Sequence, residues 1–117
     1  MDIRDLVRAL LNYEPLAARQ WVLDFSTSAG RWSDVEPPVD ANAEELSLAA
    51  ALVEMMAARA GELSPSWTSE VKAGPRAVFL VKSAERMPRL RSICQEQGPE
   101  PLRRRQFFAP PDFLTYA

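Results

Sequence analysis

Residues 46–60 read Leu-Ser-Leu-Ala-Ala-Ala-Leu-Val-Glu-Met-Met-Ala-Ala-Arg-Ala, a nearly continuous run of small and apolar side chains. The apolar positions occupy more than one narrow stripe of a helix, which predicts a helix that is packed on most of its sides. Asn42 and Glu45 have the spacing of a capping box at its start, and Asp40 is the alternative cap. Gly61 is well placed to end it. We expect this helix to form the centre of the core.

Two further helices are predicted on the N-terminal side. Apolar residues at helical spacing define the first, whereas the second has Pro15 in its first turn and Gly30 at its end. The predicted buried faces are Ile3, Leu6, Val7, Leu10 and Leu11 in the first, and Leu16, Ala17, Trp21, Val22 and Phe25 in the second. Residues 1–30 should therefore form a helical hairpin. Residues 31–41, which contain Trp32 and Pro37-Pro38, should form a linker that lies over the surface.

The chain is more often interrupted after the central helix. Residues 64–65 open a short helix or turn, and Pro88 opens another helix that ends at Gly98. Between them, the apolar run 77–81 is compatible with a buried strand or with a buried helical turn. Because no second good strand is evident to pair with it, we favour an irregular or helical conformation there.

The segment 99–117 is rich in proline but also holds several aromatic residues, which disordered tails avoid. We expect it to dock on the core, to bury Phe107, Phe108 or both, and to end in a helical turn at residues 111–114. The predicted fold class is mainly all-α. It is a compact single-domain helical bundle over residues 1–117, with irregular proline-rich connections, room for one short strand, and a helical core at residues 42–117.

The composition excludes several kinds of catalytic and metal site. The 117 residues include no histidine and one cysteine, which removes His-dependent catalytic triads, thiolate zinc clusters and intrachain disulfides. The four glycines look like helix and turn boundaries and do not form a phosphate-binding loop. We expect no enzyme activity, no cofactor and no metal.

Two groups of residues could have either a structural or a chemical role. Cys94 lies on an apolar helix stripe beside cations only, so a buried small side chain is favoured over a nucleophile. The acidic pairs at 34–36 and 44–45 could in principle hold a divalent cation, but neither has the ligand spacing of a calcium loop, and first-turn acids favoured by the helix dipole account for the second pair.

The sequence also predicts a cytoplasmic protein. Its first residues lack a secretory pattern, and the longest weakly polar stretch, 46–58, is well below the roughly 20 residues that span a bilayer. A lone cysteine agrees with a reducing compartment.

Charge is distributed unevenly along the chain. Residues 1–62 carry five basic and eleven acidic side chains, and residues 63–117 carry nine basic and five acidic ones. The basic half could face phosphate or an acidic protein surface. Alternatively, its arginines could cap helices and pair with the acidic half in cis, which is the commoner use of such residues.

The most distinctive local motif is the arginine triplet, Arg103, Arg104 and Arg105, followed by Phe107 and Phe108. Guanidinium groups can bind phosphate and aromatic rings can stack on bases, but adjacent aromatics near a C-terminus attach it to the core at least as often.

A series of short motifs runs from Glu44 to the end of the chain. They are the helix 46–61, the turn Pro65-Ser-Trp67-Thr68, the segment around Phe79, the helix 86–93, and the endings Leu102-Arg-x-Arg105-x-x-Phe108 and Phe113-Leu114-x-x-Ala117. Their order resembles a group of small bacterial proteins encoded beside nucleotidyltransferase-like toxins, where they act as antitoxin or accessory partner. Many of those proteins carry a preceding helix-turn-helix, but residues 1–30 offer no recognition helix. The resemblance implies a binding partner and no catalysis.

We therefore predict a non-enzymatic protein–protein interaction module, antitoxin-like or accessory, in a bacterial two-gene system. The predicted partner-binding residues, expected to form an exposed mixed patch, are Trp32, Arg103, Arg104, Arg105 and Tyr116. A small nucleic-acid-binding protein that uses the basic C-terminal half is the alternative. A homodimer is compatible with both, and no membrane contact is expected.

Overall fold

The computed structural model describes residues 1–115, and they form a mainly α-helical fold, as the sequence predicts. The α-helices are α1 (Ile3–Leu11), α2 (Pro15–Thr27), α3 (Ala43–Ala60), α4 (Pro88–Gln97) and α5 (Glu100–Arg103). Short 3-10 helices occupy Trp32–Asp34, Ser66–Glu70 and Lys82–Glu85, and two strands occupy β1 (Val78–Phe79) and β2 (Phe107–Phe108). Within the described part of the chain, no helix has both the length and the apolar character needed to cross a membrane.

Helix α3 forms the centre of the core, because every residue from 47 to 57 is buried. The predicted capping box is confirmed: the Asn42 side chain accepts from the Glu45 N–H, and the Glu45 carboxylate accepts from the Asn42 N–H. At the other end, Gly61 has φ of 71°, a left-handed conformation that glycine adopts at little cost. Both helix boundaries are therefore encoded locally.

Helices α1 and α2 form the predicted hairpin, and α1 packs against α3. The buried face of α2 is Ala18, Trp21, Val22 and Phe25. The prediction that Leu16 and Ala17 belong to this face is wrong, since both are exposed. The spacing explains the error for Leu16, which lies five residues before Trp21 and off its stripe, whereas Ala18 lies three residues before Trp21. It does not explain Ala17, which lies four residues before Trp21 and is nevertheless exposed.

The segment 77–81 pairs with the tail, so the preference for an irregular or helical conformation is wrong at Val78 and Phe79. Strands β1 and β2 are parallel, with Val78 opposite Phe107 and Phe79 opposite Phe108. The Val78 N–H donates to the Gln106 carbonyl and the Leu80 N–H to the Phe108 carbonyl, both at 2.9 Å. Two residues per strand leave too short a pattern for a sequence to reveal the pairing.

The C-terminal segment docks on the core, as predicted. Phe107 is fully buried and Phe108 is half-buried. The Arg59 guanidinium, at the end of α3, donates to the carbonyls of Phe113 and Pro111 and so holds residues 111–113 in place. Residues 111–114 form a hydrogen-bonded turn in which the Phe113 N–H donates to the Pro110 carbonyl.

Candidate partner-binding site

The arginine triplet does not form an exposed patch. Arg105 has only 6% of its side chain exposed and forms a two-pronged ion pair with Glu54, and its guanidinium also donates to the Thr68 carbonyl at 2.8 Å. Arg104 donates to the same Glu54 at 2.6 Å, and Arg103 donates to the Gly98 carbonyl at 2.7 Å. The prediction that Arg105 is exposed as part of the triplet is therefore wrong. Arg104 and Arg105 both pair with Glu54 of the same chain, which is the alternative that the sequence also allows.

Glu54 is the ion-pair partner that Arg104 and Arg105 share. It lies on α3 among apolar neighbours, with 10% of its side chain exposed. Burial by itself would raise the pKa of this carboxyl group, but hydrogen bonds and charge from Arg105 and Arg104 outweigh it, and the net effect is a lowered pKa. Glu54 is therefore held as a carboxylate, and its charge is neutralised inside the fold.

Trp32 is also buried, so the prediction that it belongs to an exposed patch is wrong. It is 6% exposed, and its ring lies 4.3 Å from that of Phe25 and 6.1 Å from that of Trp21, centroid to centroid. The linker that carries it is attached to the core by its tryptophan, with aromatic packing supplying the attachment. Tyr116, the fifth predicted contact residue, lies outside the described residues.

Three segments that are distant in sequence instead enclose a groove of about 350 Å³. They are the turn between α1 and α2 with its flanking residues, the segment 80–83, and the end of the tail. The lining residues are Leu10, Tyr13, Glu14, Pro15, Ala18, Leu80, Val81, Lys82, Ser83, Phe113 and Leu114. Most of these side chains are apolar, so the groove presents a surface suited to receiving an apolar group.

The α1–α2 turn forms one wall of the groove. Tyr13 is held against the neighbouring strand, because its hydroxyl donates to the Phe79 carbonyl at 3.1 Å. Leu16 directly follows the lining residue Pro15 and is 79% exposed. An exposed leucine next to an apolar groove extends the apolar surface beyond the lining itself.

A basic segment, residues 82–89, begins at the other wall. Within residues 1–115, the exposed side chains of Lys82, Arg86 and Arg89 make no ion pair or hydrogen bond. Arg91, two residues further along α4, lies over the Phe79 ring at 4.9 Å from its centroid. Of these cations, Lys82 belongs to the groove lining, and Arg86 and Arg89 follow it in the sequence.

The acidic pairs at 34–36 and 44–45 either have protein partners or lack the number of ligands that a divalent cation needs. Glu44 accepts from Arg76 at 3.0 Å, and Glu45 accepts from Arg8 at 2.8 Å. The Asn42 backbone N–H and then Arg8 lower the pKa of Glu45. A second cavity of about 400 Å³ is lined in part by Asp34 and Glu36, yet residues 1–115 contain no cluster of three or more metal-ligating side chains.

Cys94 is fully buried on α4, and burial raises the pKa of its thiol. This disfavours the thiolate, the form in which cysteine is a nucleophile. The interpretation of Cys94 as a small buried side chain is confirmed.

Sequence reasoning missed the groove as a whole. Its walls come from residues about 70 and 100 positions apart, and no local periodicity connects them. The one available signal was Leu16, whose position off the α2 stripe marks it as an exposed leucine.

Comparison of the chain with protein-family models, with curated proteins and with solved structures finds no match.

Proposed function

We propose that this chain is a non-catalytic protein-binding module whose groove receives apolar side chains of a partner protein. The observation that carries the proposal is the apolar groove of about 350 Å³ with the 79% exposed Leu16 at its lip. Exposed apolar surface next to a concave site is typical of binding surfaces, where a few inserted side chains supply most of the binding energy.

The positive charge beside the groove supports a protein partner that carries acidic residues. Lys82 lies on the groove wall, and Arg86 and Arg89 continue the positive charge along the basic segment. Cations without internal partners steer and orient an acidic surface, and they contribute more to association rate and specificity than to affinity.

For the identity of that partner, we propose the antitoxin-like or accessory role in a bacterial two-gene system that the sequence motifs suggest. In this structure several of those motif residues are buried, including Arg105 and most of α3. Their burial gives them a structural part in this chain, and we propose that the groove holds the partner. We place this role in the cytoplasm, where a lone buried thiol needs no disulfide partner.

The test is co-expression with the product of the adjacent gene, using a variant that fills the groove without disturbing the core. Ser83 lines the groove with an exposed side chain, so Ser83→Trp should block it while the chain stays folded. Ser92→Trp, at an exposed position of α4, is the matched control. We expect co-purification with the wild type and with Ser92→Trp, and its loss with Ser83→Trp. Retained binding by Ser83→Trp would contradict the proposal.

A nucleic-acid-binding function is the second candidate. The observation in its favour is that Lys82, Arg86 and Arg89 are exposed and have no ion-pair partner among residues 1–115. Arg105, one of the guanidinium groups that could contact phosphate, is paired with Glu54 instead. Binding of a labelled DNA duplex and of a single-stranded RNA should then fall steeply with salt, and it should disappear when these three residues are changed to glutamate. No binding at low salt would eliminate this candidate.

A further inference from the structure

The α1–α2 turn and the groove beside it have complementary properties. The turn presents Leu16, the second most exposed large apolar side chain among the described residues, next to a groove lined mainly by apolar groups. Packing within a single chain leaves Leu16 uncovered, because 79% of the residue faces solvent. A second molecule that covers it would remove this apolar surface from water.

The charges on the two walls are complementary as well. Glu14 is on the turn and Lys82 is on the opposite wall, and both side chains are exposed. Within residues 1–115 neither side chain forms an ion pair or a hydrogen bond. One wall therefore offers a leucine with a free carboxylate, and the other offers an apolar surface with a free ammonium group.

A two-fold dimer would use both of these walls on each subunit. The turn residues Tyr13, Glu14 and Pro15 belong to the groove lining, so the projecting leucine and the surface that would receive it are adjacent. In a two-fold dimer the same patch is used on both subunits, and each contact occurs twice. A two-fold axis beside the α1–α2 turn would bring each Leu16 to the other copy's groove, and each Glu14 to the other copy's Lys82.

We infer that a second copy of this chain occupies the groove when no other partner is bound. This inference rests on the proposed function, because it assigns the same groove two competing occupants. Self-association then regulates partner binding: a partner must displace the second copy before it can insert its own apolar side chains.

The experiment is sedimentation velocity of the full chain, alone, at increasing concentration up to about 1 mM, a range that detects weak association. We expect a reversible monomer–dimer equilibrium. Leu16→Glu should lower the association constant by about tenfold or more, because it places a charge against an apolar wall. Leu63→Glu changes another exposed leucine, 86% exposed and outside the groove lining, and should leave the equilibrium unchanged.

A charge swap provides a second measurement that does not depend on Leu16. Glu14→Lys and Lys82→Glu should each weaken the dimer through like-charge contacts, and the double variant should restore it because the pairing is reversed. Circular dichroism of each variant establishes that the helical content is unchanged. The effect of the charge substitutions on dimerisation should also diminish with added salt, because the paired groups lie at an exposed rim.

A chain that stays monomeric at every concentration would overturn the inference, and so would a dimer that Leu16→Glu does not weaken. It would also be overturned if the charge-swapped double variant dimerised no more tightly than the two single variants. The outcome is separable from that of the proposed function. A monomer that still loses its partner on Ser83→Trp refutes self-association alone, whereas a Leu16-dependent dimer that binds no partner refutes the proposed function alone.

Discussion

The arginine triplet and the basic segment belong to the same half of the chain, yet their side chains have opposite surroundings. Arg105 is buried against Glu54, whereas Arg86 and Arg89 are exposed and unpaired within residues 1–115. Composition does not distinguish the two regions. The difference comes from Glu54, a carboxylate on the central helix that pairs with Arg104 and Arg105 of the triplet. A cluster of cations is available for binding only where the fold supplies no anion of its own.

The largest expected effect comes from breaking the buried pair. Arg105→Met keeps much of the side-chain volume but leaves Glu54 with Arg104 alone and removes the donor to the Thr68 carbonyl. Loss of one partner of a buried ion pair should lower the free energy of unfolding by about 3 kcal/mol, measured by urea denaturation. The double variant Glu54→Leu/Arg105→Met should recover part of this loss, because no unpaired buried charge is left. A loss below about 1 kcal/mol in the single variant would show that the pair is not buried as described.

The pH dependence of stability should identify the same carboxylate. The folded-state pKa of Glu54 is lowered from its ordinary value of 4.5, so its contribution is complete above that pH and is lost as the pH falls through the folded pKa. Glu54→Gln removes this contribution. We expect the variant to be less stable than the wild type near neutral pH and the difference to shrink steadily as the pH is lowered below 4.5. Chemical denaturation at several pH values measures it, and two parallel stability curves would contradict the assignment.

The helical part of this arrangement could be predicted from sequence because its signals are local. The capping box at Asn42, the glycine at position 61 and the stripe of α1 each lie within a few residues of the structure they specify. The Glu54–Arg105 pair joins residues 51 positions apart, and the Val78–Phe107 pairing joins strands of two residues. Neither leaves a periodic pattern. The candidate groove depends on such contacts, so the sequence does not reveal its lining. Only the exposed Leu16 beside it could have been inferred, from its position relative to Trp21.

Arg104 provides an intermediate case between the two regions. It also bonds Glu54, but 53% of its side chain is exposed. Solvent screens an ion pair at such a position, so Arg104→Ala should lower the free energy of unfolding by about 0.5–1 kcal/mol, much less than Arg105→Met. Urea denaturation of both variants in the same buffer gives the comparison. Equal losses would mean that the network acts as one unit and that exposure does not separate its members.

The smallest effect on stability is expected in the basic segment. The triple variant Lys82→Ala/Arg86→Ala/Arg89→Ala removes three exposed cations that make no side-chain ion pair within residues 1–115, so the free energy of unfolding should change by no more than about 0.5 kcal/mol. Partner binding should respond differently, with a slower association rate and a weaker dependence on salt, because these charges act on an approaching acidic surface. Stopped-flow or surface-based kinetics with the adjacent gene product measures both quantities. A variant that loses stability would show that the segment supports the fold, and one that binds with unchanged kinetics would remove its role in docking. Only a change in binding kinetics with unchanged stability identifies cations that are available to a partner.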